Sequence, residues 1–312
     1  MIPLIEVFKT VDNKLVITDT FEDGVWVNMT NPSEEEISKV SSSLNVEADF
    51  LRAALDEEER ARTETDEGQT LIVVDTPIVE SEGQMNLYYT IPLAIIILKH
   101  TIITVCLYED TILNDFRHNK VKSFLTQYKT RFVLQILYRN AVRYLQYLKH
   151  IDKMSNKIEQ DLHKSMKNKE LIQMLKLEKS LVYFSTSLKS NEVVLEKLLR
   201  LEHIKKYPDD TELLEDVIVE NKQAIEMANI YSSILTGTMD AFASVISNNL
   251  NIVMKFLTSV TIVMAIPTLI SSFFGMNVPL PLGGPGSFWT IVVITLAVCI
   301  VTGFVLYRKK LF

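Results

Sequence analysis

The sequence predicts an α+β domain in the cytosol, followed by long helices and two membrane-spanning helices near the C-terminal end. Strand-like runs, broken by polar residues, fill the first 130 of the 312 residues. The pattern then becomes helical and stays so. Residues 256–307 contain no Asp, Glu, Lys or Arg, which no soluble domain of this size would tolerate.

The predicted sheet lies in residues 1–130. Residues 26–29 end a strand-like segment, and Ser33 is a predicted helix cap because Glu36 follows three residues later. The runs at 71–74 and 87–107 are rich in β-branched residues and are predicted as buried strands. This part is therefore a mixed sheet with flanking helices.

Helical periodicity begins at about residue 132 and has a predicted break near Asn168. A second break precedes Asp209 and Asp210, either of which is predicted to cap the next helix. An unbroken helix over 211–274 would be about 95 Å long at 1.5 Å per residue, against a hydrocarbon core of about 30 Å. This stalk helix is expected to run from the cytosol through the membrane.

The two predicted spans, about 256–274 and 288–306, each approach the ~20 residues that a bilayer requires. Lys255 precedes the first span and the basic run 308–310 follows the second, so the positive-inside rule places both termini in the cytosol of a plasma-membrane protein. No signal-peptide pattern begins the sequence. The predicted division is a cytosolic α/β domain at 1–130, long cytosolic helices at 131–209, the stalk and first span at 210–274, an outer loop at 275–287, the second span at 288–307 and a basic tail at 308–312.

Composition and motifs argue against several classes of protein. Cys106 and Cys299 are the only cysteines, and the five histidines form no metal-binding motif. A net charge of −7 argues against a nucleic-acid partner. No Walker A, G-x-S-x-G or other Gly-rich nucleotide motif occurs, so we do not expect an enzyme.

A stripe of mostly small or polar residues follows the stalk helix at steps of three and four, close to the 3.5 repeat of bundled helices. Two spanning helices cannot enclose water, so a pore would need a homo-oligomer. The alternative is a tight helix–helix interface, for which small residues are also typical; continuity of the stripe into the soluble stalk favours a lumen. We call this stripe the polar seam, and its members are Asp240, Ser244, Ser247, Asn251, Met254, Leu257 or Thr258, Thr261, Ala265, Thr268 and Ser272.

In a lumen, the members of the polar seam would have different roles. Met254 and Leu257 would form apolar rings near the cytosolic mouth, where a narrow passage closes by dewetting. Thr261, Thr268 and Ser272 would offer neutral oxygens beyond them.

The polar seam ends at Gly275-Met276-Asn277. In this position the chain resembles the CorA family of magnesium channels, whose mark is a Gly-Met-Asn tripeptide at the outer end of the first of two C-terminal spans. Residues 26–36, 50–60 and 251–258 and the basic run at 308–310 are also similar to the bacterial branch of that family. The resemblance covers essentially the whole chain.

The resemblance implies a funnel-shaped homopentamer in the lipid bilayer that carries Mg²⁺, and also Co²⁺ or Ni²⁺, which share its size and hydration. It implies that Asn277 rings the outer mouth as the selectivity site. Mg²⁺ loses water reluctantly, so a ring of carboxamides suits the hydrated ion. Gly275 is expected to permit the turn after the helix; the alternative for Asn277 is a helix C-cap.

The chain departs from the family pattern at several positions. Phe274 stands where Tyr is usual, Pro267 lies one place nearer the tripeptide than in the best-known members, and the loop 278–287 has no acidic residue. A zinc carrier of the ZntB type is the alternative within transport, although such proteins usually have Val in place of Met276.

Register from the tripeptide places Asp216, beside Glu215, at a position where the family senses cytosolic Mg²⁺. Our hypothesis is that Asp216 and a carboxylate of a neighbouring subunit hold a regulatory ion that closes the channel. The alternative is that both acids only favour the start of a solvated helix. Asp240, on the stalk part of the polar seam, is a further candidate metal contact.

Overall fold

The computed structural model describes residues 5–12, 14–82, 85–165, 168–201, 207–276, 287–309 and 311. The chain forms two compact units, Met1–Gly237 and Thr238–Phe312. The first unit contains a seven-stranded sheet. Its strands are β1 (Ile5–Val11), β2 (Lys14–Thr18), β3 (Val25–Thr30), β4 (Arg62–Asp66), β5 (Gln69–Glu82), β6 (Met85–Ile97) and β7 (Ile102–Cys106).

The described helices are α1 (Glu34–Leu44), α2 (Ala48–Arg52), α3 (Thr111–Arg117), α4 (Lys129–Ser165), α5 (Asn168–Leu198), α6 (Pro208–Phe274) and α7 (Ser287–Arg308). The strand order is β2-β1-β3-β7-β6-β5-β4. Only the β3–β7 pair is parallel among these strands, so the sheet is mixed. The predicted α+β class is confirmed.

Helices cover both faces of the sheet and enclose one hydrophobic cluster on each side. One face packs against α1 and α2, through residues such as Ile37 and Leu51. The other packs against α3, α4, α5 and the beginning of α6. On that face the fully buried Trp26 stacks with Phe8 and donates its Nε1–H to Thr104 Oγ1 at 2.8 Å, as a buried indole requires.

The N-terminal cap of α1 is the one predicted from the sequence, whereas that of α6 is not. Ser33 caps α1 in the predicted manner: its Oγ accepts from Glu36 N, while Glu36 Oε2 accepts from Ser33 N at 2.8 Å. The predicted cap at Asp209 or Asp210 is wrong, because α6 already begins at Pro208 and both acids lie in its first turn. Proline suits the first helical position, where its missing N–H has no partner in any case.

The second unit comprises the C-terminal part of α6 and the helix α7. α6 has 67 residues and contains Pro267 without a break in the helix assignment, which confirms the predicted long helix. Both α6 and the segment Phe288–Arg308 are long and apolar enough to cross a membrane. Ser259 Oγ, within α6, donates to the carbonyl of Leu311, just after α7, at 3.0 Å.

A buried polar junction joins β5 to α4 and α5. The backbone carbonyl of Asp75 accepts from Asn140 Nδ2 and Asn191 Nδ2, each at 2.9 Å, and from the Tyr144 hydroxyl at 3.2 Å. Burial raises the pKa of the Asp75 carboxyl from 3.8 to about 6, and a hydrogen bond from Ser187 opposes the rise. Above that pH the Asp75 carboxyl is ionised in the folded state, and its buried surroundings disfavour the negative charge.

We expect Asp75→Asn to stabilise the first unit at pH 7.5. The folded state binds the proton more tightly than the unfolded state, so the carboxyl destabilises the fold as pH rises from 3.8 to about 6. The full difference corresponds to about 3 kcal/mol, or roughly 5–10 °C in the midpoint of thermal unfolding. The gain should vanish near pH 4, and the exposed Asp19→Asn should show none; identical pH profiles for Asp75→Asn and the parent would contradict the assignment.

Candidate functional site

One face of the apolar part of α6 is covered by α7. Ser259 is buried, and the Cys299 thiol lies 3.9 Å from the carbonyl of Val263. Further along, Pro267 and Phe274 line a groove together with residues of α7. These positions recur at steps of four and seven, so they form a single face of the helix.

The polar seam lies on the opposite face of the same segment. Thr261 is two residues from Ser259, which at 100° per residue places it about 200° around the helix. The second unit of a single chain leaves this face open, and all of its seam members from residue 251 onward are exposed: Asn251, Met254, Leu257, Thr258, Thr261, Ala265, Thr268 and Ser272. Asp240 and Ser244 are exposed as well, and Ser244 Oγ donates to the carbonyl of Asp240 at 3.0 Å.

The exposed face forms a long groove whose lining includes five members of the polar seam, from Leu257 to Ser272. Thr261 Oγ1 donates its proton to the carbonyl of Leu257 at 2.8 Å, which leaves lone pairs of the hydroxyl oxygen directed away from the helix. The absence of charged side chains from 256–307 makes this a neutral, hydroxyl-bearing surface.

Sequence reasoning missed several residues of the same groove. These are Val260, Met264, Leu269 and Phe273, which line it between the seam members. Their side chains are bulky and apolar, so a stripe defined by small and polar residues does not include them. Their position around the helix identifies them: Met264, for example, lies only about 60° from Thr261 around the helix axis. Met276, which belongs to the predicted tripeptide, lines the groove as well.

The tripeptide lies at the end of α6, and the structure describes its first two residues. Gly275 N still donates to the Ser271 carbonyl at 3.0 Å, and Met276 N to the Phe273 carbonyl at 3.4 Å. Gly275 does not adopt a left-handed φ, so the expected reason for glycine is replaced by a steric one: a Cβ here would lie 3.2 Å from the Ser271 oxygen. Asn277 lies outside the described residues.

The acidic candidates for metal binding lie at exposed positions of α6. Asp216 and Glu215 are both exposed on α6 in the first unit, and Asp240 belongs to the second unit. No group of three or more His, Cys, Asp or Glu side chains suited to a metal occurs in the part of the chain that the structure describes. A metal at Asp216 would therefore need ligands from outside this set, such as those of another subunit.

Comparisons of the sequence and of the structure with known proteins both find CorA of one organism. The chain is 28% identical over 300 residues to the cobalt/magnesium transport protein CorA of Methanocaldococcus jannaschii, with 93% of this chain and 92% of the relative covered. The complete structure of the CorA magnesium transporter from that organism superposes with a TM-score of 0.84 at 25% identity, over 97% of this chain and 96% of the other.

A more distant match shows only a shared fold. The cytoplasmic domain of ZntB from Vibrio parahaemolyticus has a TM-score of 0.58 and 12% identity, and covers 78% of this chain and 96% of its own. The family model for CorA-like Mg²⁺ transporter proteins, in contrast, matches residues 21–308. That match includes both apolar helices and the tripeptide, and the chain therefore belongs to the CorA-like Mg²⁺ transporter family.

Proposed function

We propose that this protein is a channel for hydrated Mg²⁺, with Co²⁺ and Ni²⁺ as further substrates, and that copies of α6 line its pore. The observation that carries the proposal is the division of α6 into two faces. α7 covers the face of Ser259 and Val263, while the face of Thr261 and Thr268 stays open and carries hydroxyl groups. A polar surface at membrane depth needs water or protein against it, and a ring of α6 helices around water supplies both.

The proposed assembly is a funnel-shaped homopentamer in the plasma membrane, with both termini in the cytosol. Family membership and the similarity to the M. jannaschii transporter support this architecture. The basic residues Arg308 and Lys309 at the end of α7 and Lys255 before the first span support the orientation. The proposed selectivity site is the ring of Asn277 carboxamides, adjoining Gly275 and Met276 at the outer mouth.

Flux into liposomes tests the function and its zinc alternative. The purified full chain should admit Mg²⁺ at a rate independent of a proton gradient, and it should favour Mg²⁺ over Zn²⁺ because the proposed selectivity site consists of amide oxygens, which suit the harder ion. The Met of the tripeptide and the 28% identity to a cobalt/magnesium transporter support this expectation over a ZntB-type carrier. Proton-driven Zn²⁺ flux without Mg²⁺ flux would overturn the proposal.

Regulation by cytosolic Mg²⁺ is a second part of the proposal. Asp216 is exposed on α6, and a divalent ion between it and a carboxylate of a neighbouring subunit would hold the subunits together. Loss of that ion would leave like charges facing each other, which favours separation of the subunits and an open pore.

We expect Asp216→Ala and Asp216→Lys to leave currents open at millimolar internal Mg²⁺, where the parent closes. Removal of the carboxylate weakens the regulatory site without touching the pore. The measurement is patch-clamp or liposome flux at stepped internal Mg²⁺. Glu226→Ala, an exposed acid further along the same helix, is the matched control and should close like the parent; unchanged inhibition in both Asp216 variants would refute the sensor.

A further inference from the structure

A pocket of about 810 Å³ lies in the first unit between α5 and the sheet, apart from the polar seam. Its lining includes four tyrosines: Tyr88 and Tyr89 of β6, Tyr108 after β7, and Tyr183 of α5. Aromatic faces carry a negative quadrupole and attract cations. The size and the aromatic lining are those of a site for a small organic molecule.

Carboxylates give the sheet side of this pocket a negative charge. Glu57 and Glu58, in the segment after α2, and Glu80, in β5, all line it. The Tyr108 hydroxyl donates to Glu57 Oε1 at 2.6 Å. Among the described residues, none of the three carboxylates has a Lys, Arg or His nitrogen within 4.0 Å.

Two tyrosines respond to this charge. The hydrogen bond and the negative charge of Glu57 raise the pKa of Tyr108. Burial raises the pKa of Tyr89, and the charges of Glu80 and Glu57 add to the rise. Glu57 and Glu80 therefore both act on the Tyr89 phenol, and both line the pocket.

The α5 side of the pocket already holds alkylammonium groups. Lys179 Nζ lies 5.6 Å from the centroid of the Tyr183 ring, within the range of a cation–π contact. Lys176 also lines the pocket. An ammonium group of the chain therefore lies against the Tyr183 ring on the α5 side, while the side with Glu57 and Glu80 lacks such a cation among the described residues.

The same features argue against an inorganic metal ion. The described residues contain no cluster of three acidic, histidine or cysteine side chains placed to hold a metal. The volume of about 810 Å³ greatly exceeds that of one ion. Tyrosine faces add affinity for an organic cation whose methylene groups lose water against them.

We propose that this pocket binds a linear aliphatic polyamine, with one ammonium group between Glu57 and Glu80 and the methylene chain on the tyrosine rings. The pocket lies one helix away from α6. On other positions of α5, Ser185 Oγ donates to Asn229 Oδ1 at 3.0 Å, and Glu178 Oε1 accepts from Thr236 Oγ1 at 3.0 Å. An occupant that contacts α5 therefore touches the helix that holds the cytosolic part of α6.

Calorimetric titration of the detergent-solubilised full chain with spermidine, at constant ionic strength, tests the proposal. We expect one site per chain, and a loss of affinity of about tenfold in both Glu57→Gln and Glu80→Gln because each removes a charge-assisted hydrogen bond. Glu35→Gln removes the same charge from an exposed position of α1 outside the pocket, and should bind like the parent. Equal affinity in all four proteins would show only nonspecific attraction and overturn the proposal.

The rings provide an independent measurement. Tyr89→Phe keeps the aromatic face and should retain binding, whereas Tyr89→Leu should lose about tenfold. Mg²⁺ at the same ionic strength should not displace spermidine; displacement at equal concentration would identify a general cation site and overturn the polyamine assignment. If Tyr89→Leu unfolds, the exposed Glu57→Gln variant decides alone. Because binding is measured without transport, a failed channel proposal would leave this result unaffected.

Discussion

Asn277→Ala is expected to lower selective Mg²⁺ flux at least about tenfold, since it removes the proposed ring of carboxamides that holds the hydrated ion at the outer mouth. Each subunit of a homo-oligomer loses its amide at once, so one substitution changes the entire ring. Flux of Mg²⁺ into liposomes, measured beside flux of Na⁺, separates a loss of selectivity from a closed pore.

Asn277→Asp tests the same proposed ring with a charged side chain in place of the amide. A ring of carboxylates should bind the divalent ion more tightly and release it more slowly, so we expect saturation at lower Mg²⁺ and a lower maximal flux. Thr295→Ala is the matched control: it removes a polar group from α7, where the hydroxyl donates to the Ile291 carbonyl at 2.8 Å, and should conduct like the parent. An Asn277→Ala protein with normal selective flux would refute the role of the amide.

Thr261→Cys is expected to make the channel sensitive to a hydrophilic cationic thiol reagent, with loss of roughly nine-tenths of the Mg²⁺ flux. A positive charge placed in a narrow neutral lumen repels a divalent ion strongly because the surrounding dielectric constant is low. The natural cysteines are few enough to permit a clean background. Cys299→Ala removes the one in the second span, and burial raises the pKa of Cys106 to about 12, which keeps that thiol unreactive at neutral pH.

Ile300→Cys in the same background is the control for the labelling experiment. Ile300 is exposed on α7, a helix that we place outside the lumen, so a membrane-impermeant reagent should neither reach it nor reduce flux. Inhibition through Ile300→Cys but not through Thr261→Cys would indicate that α7 lines the pore and that α6 lies outside it. Inhibition through neither would favour the alternative in which the polar seam is a tight helix–helix interface.

Secondary-structure elements that have strong local sequence patterns could be predicted from the sequence. The box at Ser33 and Glu36 needs only four residues, and both contribute to the same helix start. The edge strands β2 and β4 have no clear sequence signal because edge positions bury few side chains; β4 has the sequence RTETD, and three of its five residues are exposed. Local chemistry allows a cap at Asp209 or Asp210, yet α6 begins at Pro208, three residues earlier than an Asp210 cap would start it.

The candidate site also has features that could be predicted from the sequence and features that could not. The uncharged run 256–307, the 3.5 repeat of the polar seam and the position of the tripeptide are all properties of sequence order. Which face of α6 receives α7 is not, since the small residues Ser259 and Thr261 are both compatible with close packing. The contact of the Cys299 thiol with the Val263 carbonyl joins residues 36 apart and identifies the face of α6 that packs against α7.

Residue order alone predicts the two apolar helices, the long α6 and the family of the protein, because hydropathy, helical periodicity and a positioned tripeptide act over neighbouring residues. Contacts between residues far apart in the sequence are visible only in the folded chain. The parallel pairing of β3 with β7 joins residues about 76 apart, and the tyrosine pocket combines Glu57, Tyr89 and Lys179 from different elements. Such contacts depend on how helices and strands pack to bury apolar surface, and no local pattern records that choice.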